Sequence, residues 1–531
     1  MRRHSVLRST VIISVCTAVS RILGLVREIL MAVVFGTSLA KSAFDVAFRI
    51  PNLFRRLFGE GALSAAFIPI FTESLEKEGV EKANGLAGKI MTMLAVVLAA
   101  VVILVVLLSA ALLNFVELDE RTAAVLPLLQ ITIAYTFFIC LVGLCMAILN
   151  SFNHFTLPAA TPVLLNIVWI FSLLFVCPRI GDMEGQQIYG VAWAVLAAGV
   201  VQLAVQYPVL RRFGLCPKLS FSWDDPRVRK VLLLMGPAAV GVGVMQINVV
   251  VDGILALFVG TWAPAALTYA ERLIYLPLGI FATALGTVLL PTFSRHAARE
   301  ENDRIRTTLR SATQSLMLVM VPAAVGLLVL APGIVEAIFQ RGRFDSRSTL
   351  LTARALRFYA PGLVTFSLYK LLVPVFYSQQ DTATPVRLGM KMVALNFVLN
   401  VLFIITWPEG FKHAGLACAT VISSTISCLV LAILAERLLG PVGWQGILGA
   451  IGRIILASCG MGAVAHMVHR VLVRSALDLS MGAQLAQLLA VGGAIVSGVL
   501  VYALLASLLC SGAIAELRSS WRERHKSTTG H

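Results

Sequence analysis

The chain has 531 residues, of which 58% are hydrophobic and only 13% charged, and its mean hydropathy is +0.88. A soluble domain runs about 45–50% apolar and about 25% charged, so a soluble multidomain protein, a disordered chain and a disulfide scaffold are all excluded. What remains is an all-α polytopic membrane protein. Its net charge of +16, from 43 Lys and Arg against 27 Asp and Glu, reads as membrane topology and not as nucleic-acid binding, because most of the surface faces lipid and basic residues are retained on the cytoplasmic side. The nine cysteines are scattered, several of them inside apolar runs (Cys16, Cys140, Cys145, Cys459), with no C-x-x-C spacing. They read as small core residues, not as disulfides or metal ligands.

A bilayer core about 30 Å thick needs roughly 20 apolar residues per helix. On that criterion fourteen helices are expected, near 11–35, 42–76 (broken), 90–114, 125–150, 158–177, 187–210, 231–259, 265–294, 311–331, 350–377, 388–406, 413–435, 447–469 and 483–510. The first twenty residues also mimic a signal peptide. The apolar pattern resumes after Arg27-Glu28 and continues to Phe35, so the segment is read as a retained helix.

Loop charges orient the chain. With the N-terminus inside, segments on that side hold 24 Lys and Arg, from Arg2, Arg3 and Arg8 through Arg295, Arg299, Arg304, Arg306 and Arg310 to the tail's Lys526. The opposite side holds 9, among them Lys41, Arg121, Arg341 and Arg343. Both termini are therefore expected in the cytoplasm.

An internal repeat is visible. Ala62-Leu63 with Pro69 and Phe71 recurs as Ala284-Leu285 with Pro291 and Phe293, an offset of 222, and Ala160-Thr161-Pro162-Val163 recurs as Ala383-Thr384-Pro385-Val386, an offset of 223. The offset spans six helices, an even number, so two six-helix lobes in parallel pseudo-repeat are expected, with a pathway between them. The division is 1–222 for the N-lobe, 223–440 for the C-lobe, 441–510 for two additional helices, and 511–531 for a basic cytoplasmic tail.

The first two helices carry charges that a lipid-facing helix would not tolerate: Arg21, Arg27 and Glu28, then Asp45, Arg49, Arg55, Arg56 and Glu60. Each central Arg costs about 2.5–3.5 kcal/mol on the lenient insertion scale, so these side chains must face protein or water. Asp45, Arg49, Arg56 and Glu60 are spaced by 4, 7 and 4 residues and share one helical stripe. Pro51 removes a backbone bond, and Gly59 and Gly61 flank Glu60 and permit a second break, the kind of irregular backbone expected at membrane depth only where it lines a cavity. Five arginines against three carboxylates leave this region net positive. Internal ion pairs, Asp45 with Arg49 and Arg56 with Glu60, account for part of it. The surplus arginines suit a phosphate or carboxylate ligand, because the guanidinium fork binds two oxygens at once.

In the second half, Glu271-Arg272 either join the central cavity or form a helix-end pair. Asp252, Asn396, Asn400 and Thr420 offer carboxylate, amide and hydroxyl oxygens that suit a hard monovalent cation. A hydrogen-bonded interhelical cluster is an equal reading of the same residues. Lys370 is either a cavity cation or a snorkelling side chain. His466 and His469 lack a third ligand. Ser222, Asp224 and Pro226 read as a cap before the seventh helix. No Walker loop, G-x-S-x-G or H-E-x-x-H motif is present, which argues against an ATP-driven pump.

At the level of motifs, Ser20-Arg21-Ile22-Leu23-Gly24 with Arg27-Glu28, then Phe48-Arg49-Ile50-Pro51-Asn52-Leu53-Phe54-Arg55-Arg56-Leu57-Phe58-Gly59-Glu60-Gly61-Ala62, resembles the signature of the MurJ/MviN lipid II flippases. So does Phe376-Tyr377-Ser378-Gln379-Gln380-Asp381 with Thr384-Pro385-Val386. The resemblance covers nearly the whole chain. It implies a transporter, not an enzyme, of the multidrug/oligosaccharidyl-lipid/polysaccharide exporter superfamily. It also implies a place in peptidoglycan biosynthesis, and hence cell shape, in the bacterial inner membrane, with cell-wall synthesis machinery as partners. The substrate implied is lipid II, the undecaprenyl-pyrophosphate disaccharide-pentapeptide. By motif position the family's cavity arginines carry over to Arg21, Arg27, Arg55 and Arg272, and its acidic residue to Glu60. Arg49 and Arg56 join them as substrate-binding candidates, supported by Glu28, Ser42, Asp45, Pro51, Asn52 and Glu271. Ser42 stands where family members often have Asp, and Asp45 lies about one turn later. The family's sodium site resembles Asp252, Asn396, Asn400 and Thr420, with Asn400 in place of a carboxylate. The last two helices are implied to line a groove for the lipid tail. A flippase for another polyprenyl-pyrophosphate oligosaccharide, a membrane-embedded polyprenyl-linked transferase and a non-transporting scaffold for cell-wall assembly are the alternatives. The transferase would need a loop-borne acidic metal site that the sequence lacks, and the scaffold would need no charged cavity.

Overall fold

Proline and glycine punctuate the long apolar runs, and the places where they do so set the architecture. The structure is a computed structural model that describes residues 2–152, 154–215, 220–221, 224–478 and 482–509. Among the described residues it contains helices and no strands. The first half consists of α1 (Arg2–Phe35), α2 (Leu39–Phe54), α3 (Ala62–Glu78), α4 (Val80–Phe115), α5 (Glu120–Ser151), α6 (Thr156–Phe171), α7 (Cys177–Ile180), α8 (Glu184–Arg212) and α9 (Pro226–Val259). The second consists of α10 (Ala263–Pro277), α11 (Thr283–Ala297), α12 (Asn302–Phe339), α13 (Ser346–Tyr359), α14 (Gly362–Ser378), α15 (Ala383–Thr406), α16 (Lys412–Leu439), α17 (Trp444–Asp478) and α18 (Ala483–Leu509).

Helix occupies every segment where the sequence places one. Among the described residues nine helices are long and apolar enough to cross a membrane, or ten if α13 and α14, bent by 45° at their junction, count as one span. The bends recur at matching places in the two halves. After Pro51 the backbone loosens into a π-helical stretch over Arg55–Gly61, and after Pro277 it does so again over Leu278–Ala282. A proline lacks the N–H that would tie the turn before it, and π-turns inside helices concentrate at functional sites.

Contacts divide the chain into two compact units: Met1–Ala265 with Arg341–Phe344, and Ala266–Gln340 with Asp345–His531. The first unit is organised around α5, whose Tyr135, Cys140, Leu144 and Ile148 are fully buried, and which packs against α2, α4 and α8. By contrast α4 presents Val96, Ile103, Leu104, Leu107 and Leu108 outward, as a helix bathed in lipid does.

Helix α9 is fastened within this unit at both ends. At its start Asp225, not Asp224, is the N-cap: its carboxylate accepts from the Arg227 N–H at 2.9 Å, with Pro226 in the first turn. Ser222 lies outside the described residues. Lys89 of α4 donates to the same carboxylate at 2.8 Å, and Arg227 reaches Glu78 of α3 at 2.5 Å. Burial alone would raise the Asp225 carboxyl, but hydrogen bonds from Arg227 and Lys89 outweigh it and hold the group well below the usual carboxylate range. At its far end Arg121 donates to the carbonyls of Leu257 and Phe258 at 3.1 and 2.8 Å, completing two of the acceptors that a helix C-terminus leaves open.

In the second unit α16 packs against α13, α14 and α15, while the α17–α18 hairpin lies along α12. The Tyr502 hydroxyl of α18 donates to the Leu318 carbonyl at 2.7 Å and pins the hairpin there.

Candidate functional site

The charged residues of the first two helices divide into a sealed set and an open set. Arg27 belongs to the sealed one. Its guanidinium donates to Glu28 Oε1 at 2.7 Å and Asn166 Oδ1 at 3.0 Å, and it stacks 4.3 Å above the Trp169 ring. Both members of the pair are buried, with 10% and 6% of their side-chain surface exposed. Asn166 in turn donates from Nδ2 to the Ser20 carbonyl at 3.0 Å, so the network ties α1 to α6. Asn166 and Trp169 were not legible as site residues, because nothing in an apolar helix marks which asparagine will meet an arginine 139 residues away.

Asp45 is held by Lys41, whose Nζ lies 2.6 Å from Oδ2. That lysine counts as an external loop charge in the sequence, yet it sits in the first turns of α2 with 1% of its surface exposed. The pairing of Asp45 with Arg49 expected from the stripe is replaced by this one. Both partners lie four residues from Asp45, and Lys41 takes the carboxylate while Arg49 turns to α9. There Arg49 donates to the Val249 carbonyl at 2.5 Å, and a Cβ at Gly253 would come within 2.7 Å of the same nitrogen. The glycine makes room for the guanidinium. Ser42 is fully buried and accepts from the Ala265 N–H at 3.3 Å.

The open set follows. Arg55 donates from Nε to Asn52 Oδ1 at 3.0 Å and remains half-buried at the start of the π-helical stretch, one turn after the buried Pro51. Arg21 and Arg56 are exposed and form no ion pair among the described residues. The backbone of Glu60 belongs to the π-helical stretch, and its side chain lies outside what is described.

In the second unit Glu271 accepts from the Tyr359 hydroxyl at 3.1 Å, and Arg272 is exposed. Lys370 donates to Thr283 Oγ1 at 2.9 Å. Asn400 donates to Asn396 Oδ1 at 2.9 Å, and Asn396 donates to Thr420 Oγ1 at 3.4 Å and Ser423 Oγ at 3.5 Å. These four form an amide–hydroxyl chain between α15 and α16, in which Asn396, Asn400 and Ser423 are buried. Asp252, in α9 of the first unit, accepts from Asn248 at 3.2 Å. Among the described residues no group of three or more His, Cys, Asp or Glu is arranged to hold a metal ion. His469 meets Gln487 at 3.3 Å.

The family model described as "Lipid II flippase MurJ" matches residues 31–482. The chain belongs to the MurJ lipid II flippase family. It is 36% identical over 437 residues to a probable lipid II flippase MurJ of Vibrio cholerae, covering 80% of this chain and 82% of the relative. It is 33% identical over 433 residues to the lipid II flippase MurJ of Burkholderia cenocepacia, covering 80% and 82%. A solved lipid II flippase MurJ in an inward closed conformation superposes with a TM-score of 0.76 at 25% identity, over 95% of this chain and all of that one. A multidrug MATE transporter in an inward-facing conformation shares the fold at TM-score 0.68 and 14% identity, over 80% and 95%. The family is one of transporters, not enzymes, and the chain is a multi-pass membrane protein.

Proposed function

We propose that this protein flips lipid II from the inner to the outer leaflet of the bacterial cytoplasmic membrane by alternating access of two lobes. The observation that carries the reading is the open set of arginines. Arg21 of α1 and Arg56 present guanidiniums without an acidic partner among the described residues, and Arg56 follows Arg55 on a π-broken helix. Exposed guanidiniums at membrane depth are costly unless an anion or water meets them. A pyrophosphate provides four or more acceptor oxygens for such forks.

On this reading Arg21, Arg55, Arg56 and Arg272 bind the headgroup. Arg27 with Glu28, Asp45, Arg49, Asn52 and Ser42 holds the helices that carry them. The chain then has fourteen spans, six in each lobe divided near residue 222, with both termini cytoplasmic and α17–α18 flanking the polyprenyl tail. Sodium, if it binds, would use Asp252, Asn396, Asn400 and Thr420.

The test is direct binding of purified protein to lipid II. Arg21→Ala, Arg55→Ala, Arg56→Ala and Arg272→Ala should each weaken binding at normal membrane abundance, and Arg→Lys should restore it only in part. Depletion in cells should leave lipid II on the inner leaflet. Unchanged affinity in all four variants would overturn the headgroup assignment.

A further inference from the structure

A second group of arginines lies where α12 passes the loop between α16 and α17. Arg306 and Arg310 stand four residues apart on α12 and therefore on one face. Both guanidiniums lie against the loop Gly440-Pro441-Val442-Gly443 and the first turn of α17, Trp444-Gln445-Gly446. A Cβ at Gly440 would meet Arg306 Nη1 at 2.8 Å, and one at Gly446 would meet Arg310 Nη2 at 3.2 Å. Gly440 and Gly443 hold φ of +87° and +79°, a conformation that side chains with a Cβ disfavour. Space for the guanidiniums and the turn of the loop thus depend on the same glycines.

Two acids lie beside these two arginines, and among the described residues neither is paired with Arg310. Arg306 pairs with Asp303, which is itself exposed, and Glu436 accepts from the Val442 N–H at 3.2 Å. Arg310 is half-buried and forms no ion pair or hydrogen bond among the described residues. The Trp444 indole nitrogen is enclosed and has no hydrogen-bond partner among the described residues, a rare state for a buried donor. Two guanidiniums against one segment, with Arg310 in no ion pair among the described residues, suit an anion with several acceptor oxygens. Leu438 and Leu448, either side of the loop, are 40% and 65% exposed, so the neighbouring surface is apolar.

We infer that Arg306, Arg310 and the segment Gly440–Gly446 bind the phosphodiester of an anionic phospholipid, with its acyl chains lying along Leu438 and Leu448. An oxyanion bridging the two guanidiniums makes charge-assisted hydrogen bonds that water cannot match at that dielectric. Because the loop joins α16 to α17, an occupied site braces the root of the α17–α18 hairpin. This site is independent of the lipid II reading.

The experiment uses the full chain, purified and exchanged into nanodiscs of phosphatidylcholine with and without phosphatidylglycerol. The readouts are phosphatidylglycerol retained per protein and the shift in unfolding temperature it confers. Wild type should retain phosphatidylglycerol over phosphatidylcholine. Arg310→Gln should weaken that preference by roughly tenfold or more, as expected for loss of a hydrogen bond to a charged group. Arg310→Lys should keep part of it, and Arg299→Gln, a cation outside the loop, should keep all of it. Equal retention by Arg310→Gln, an equal loss in Arg299→Gln, or the same Arg310-dependent shift from inorganic phosphate alone would each overturn the lipid assignment. Arg21→Ala should bind phosphatidylglycerol normally while losing lipid II, so failure of either reading is distinguishable from failure of the other.

Discussion

Replacing Arg27 by Ala should act on the protein's stability, unlike the same change at Arg21. The side chain is buried, it donates to Glu28 and Asn166, and it stacks on Trp169. Its removal leaves a 4%-exposed glutamate without its guanidinium. Breaking a buried pair by deleting one partner costs about 3–5 kcal/mol, to which loss of a desolvated cation–π contact adds up to about 2 kcal/mol. Against a total stability of about 5–15 kcal/mol, that is a large share. Arg27→Ala should therefore fall in membrane abundance and in unfolding temperature. Adding Glu28→Gln should recover part of the loss, because the uncompensated charge is gone. Arg21→Ala, at an exposed position, should keep both properties and lose lipid II binding. The assay pairs quantified membrane fractions with thermal unfolding in detergent and lipid II affinity. If Arg27→Ala accumulates and melts like wild type yet fails to bind lipid II, Arg27 is a substrate ligand and the division into sealed and open arginines is wrong.

Three further outcomes are expected. The Asp225 carboxyl titrates below its ordinary value, so the stability it contributes is fully present above the unfolded value of about 3.9 and is lost as pH falls below that; the difference in unfolding temperature between wild type and Asp225→Asn should be full near neutrality and shrink in acid, and a difference that grows in acid would contradict the sign. Reporters fused after Gly214 and Arg299 should read cytoplasmic and those after Asp119 and Gly342 external, and a cytoplasmic signal at Gly342 would exclude fourteen spans. If sodium is coupled to transport through Asp252, Asp252→Asn should abolish sodium dependence and leave lipid II affinity intact; transport unaffected when choline replaces sodium at constant potential would assign the Asn396–Asn400–Thr420 chain to helix packing alone.

Composition and periodicity were enough for the helices, because in a bilayer every backbone group must be satisfied within its own segment. A stretch of apolar residues then has almost no alternative. Local rules also exposed the broken second helix: Pro51, Gly59 and Gly61 act through the backbone within a turn of themselves, and the π-helical stretch at Arg55–Gly61 lies among them. The surplus of arginine over carboxylate was legible for the same reason, since charge in an apolar run is conspicuous wherever it points. What each charge does was decided only by tertiary structure. Arg21 and Arg27 look alike in sequence, but one is exposed and the other is locked to an asparagine 139 positions away. Lys41 outcompetes Arg49 for Asp45 because Arg49 has a carbonyl of α9 within reach. Asp225 caps α9 in place of its neighbour Asp224 because Lys89 and Arg227 converge on it. Partners so distant in the chain are brought together by packing of whole helices, and a one-dimensional pattern holds no record of that geometry.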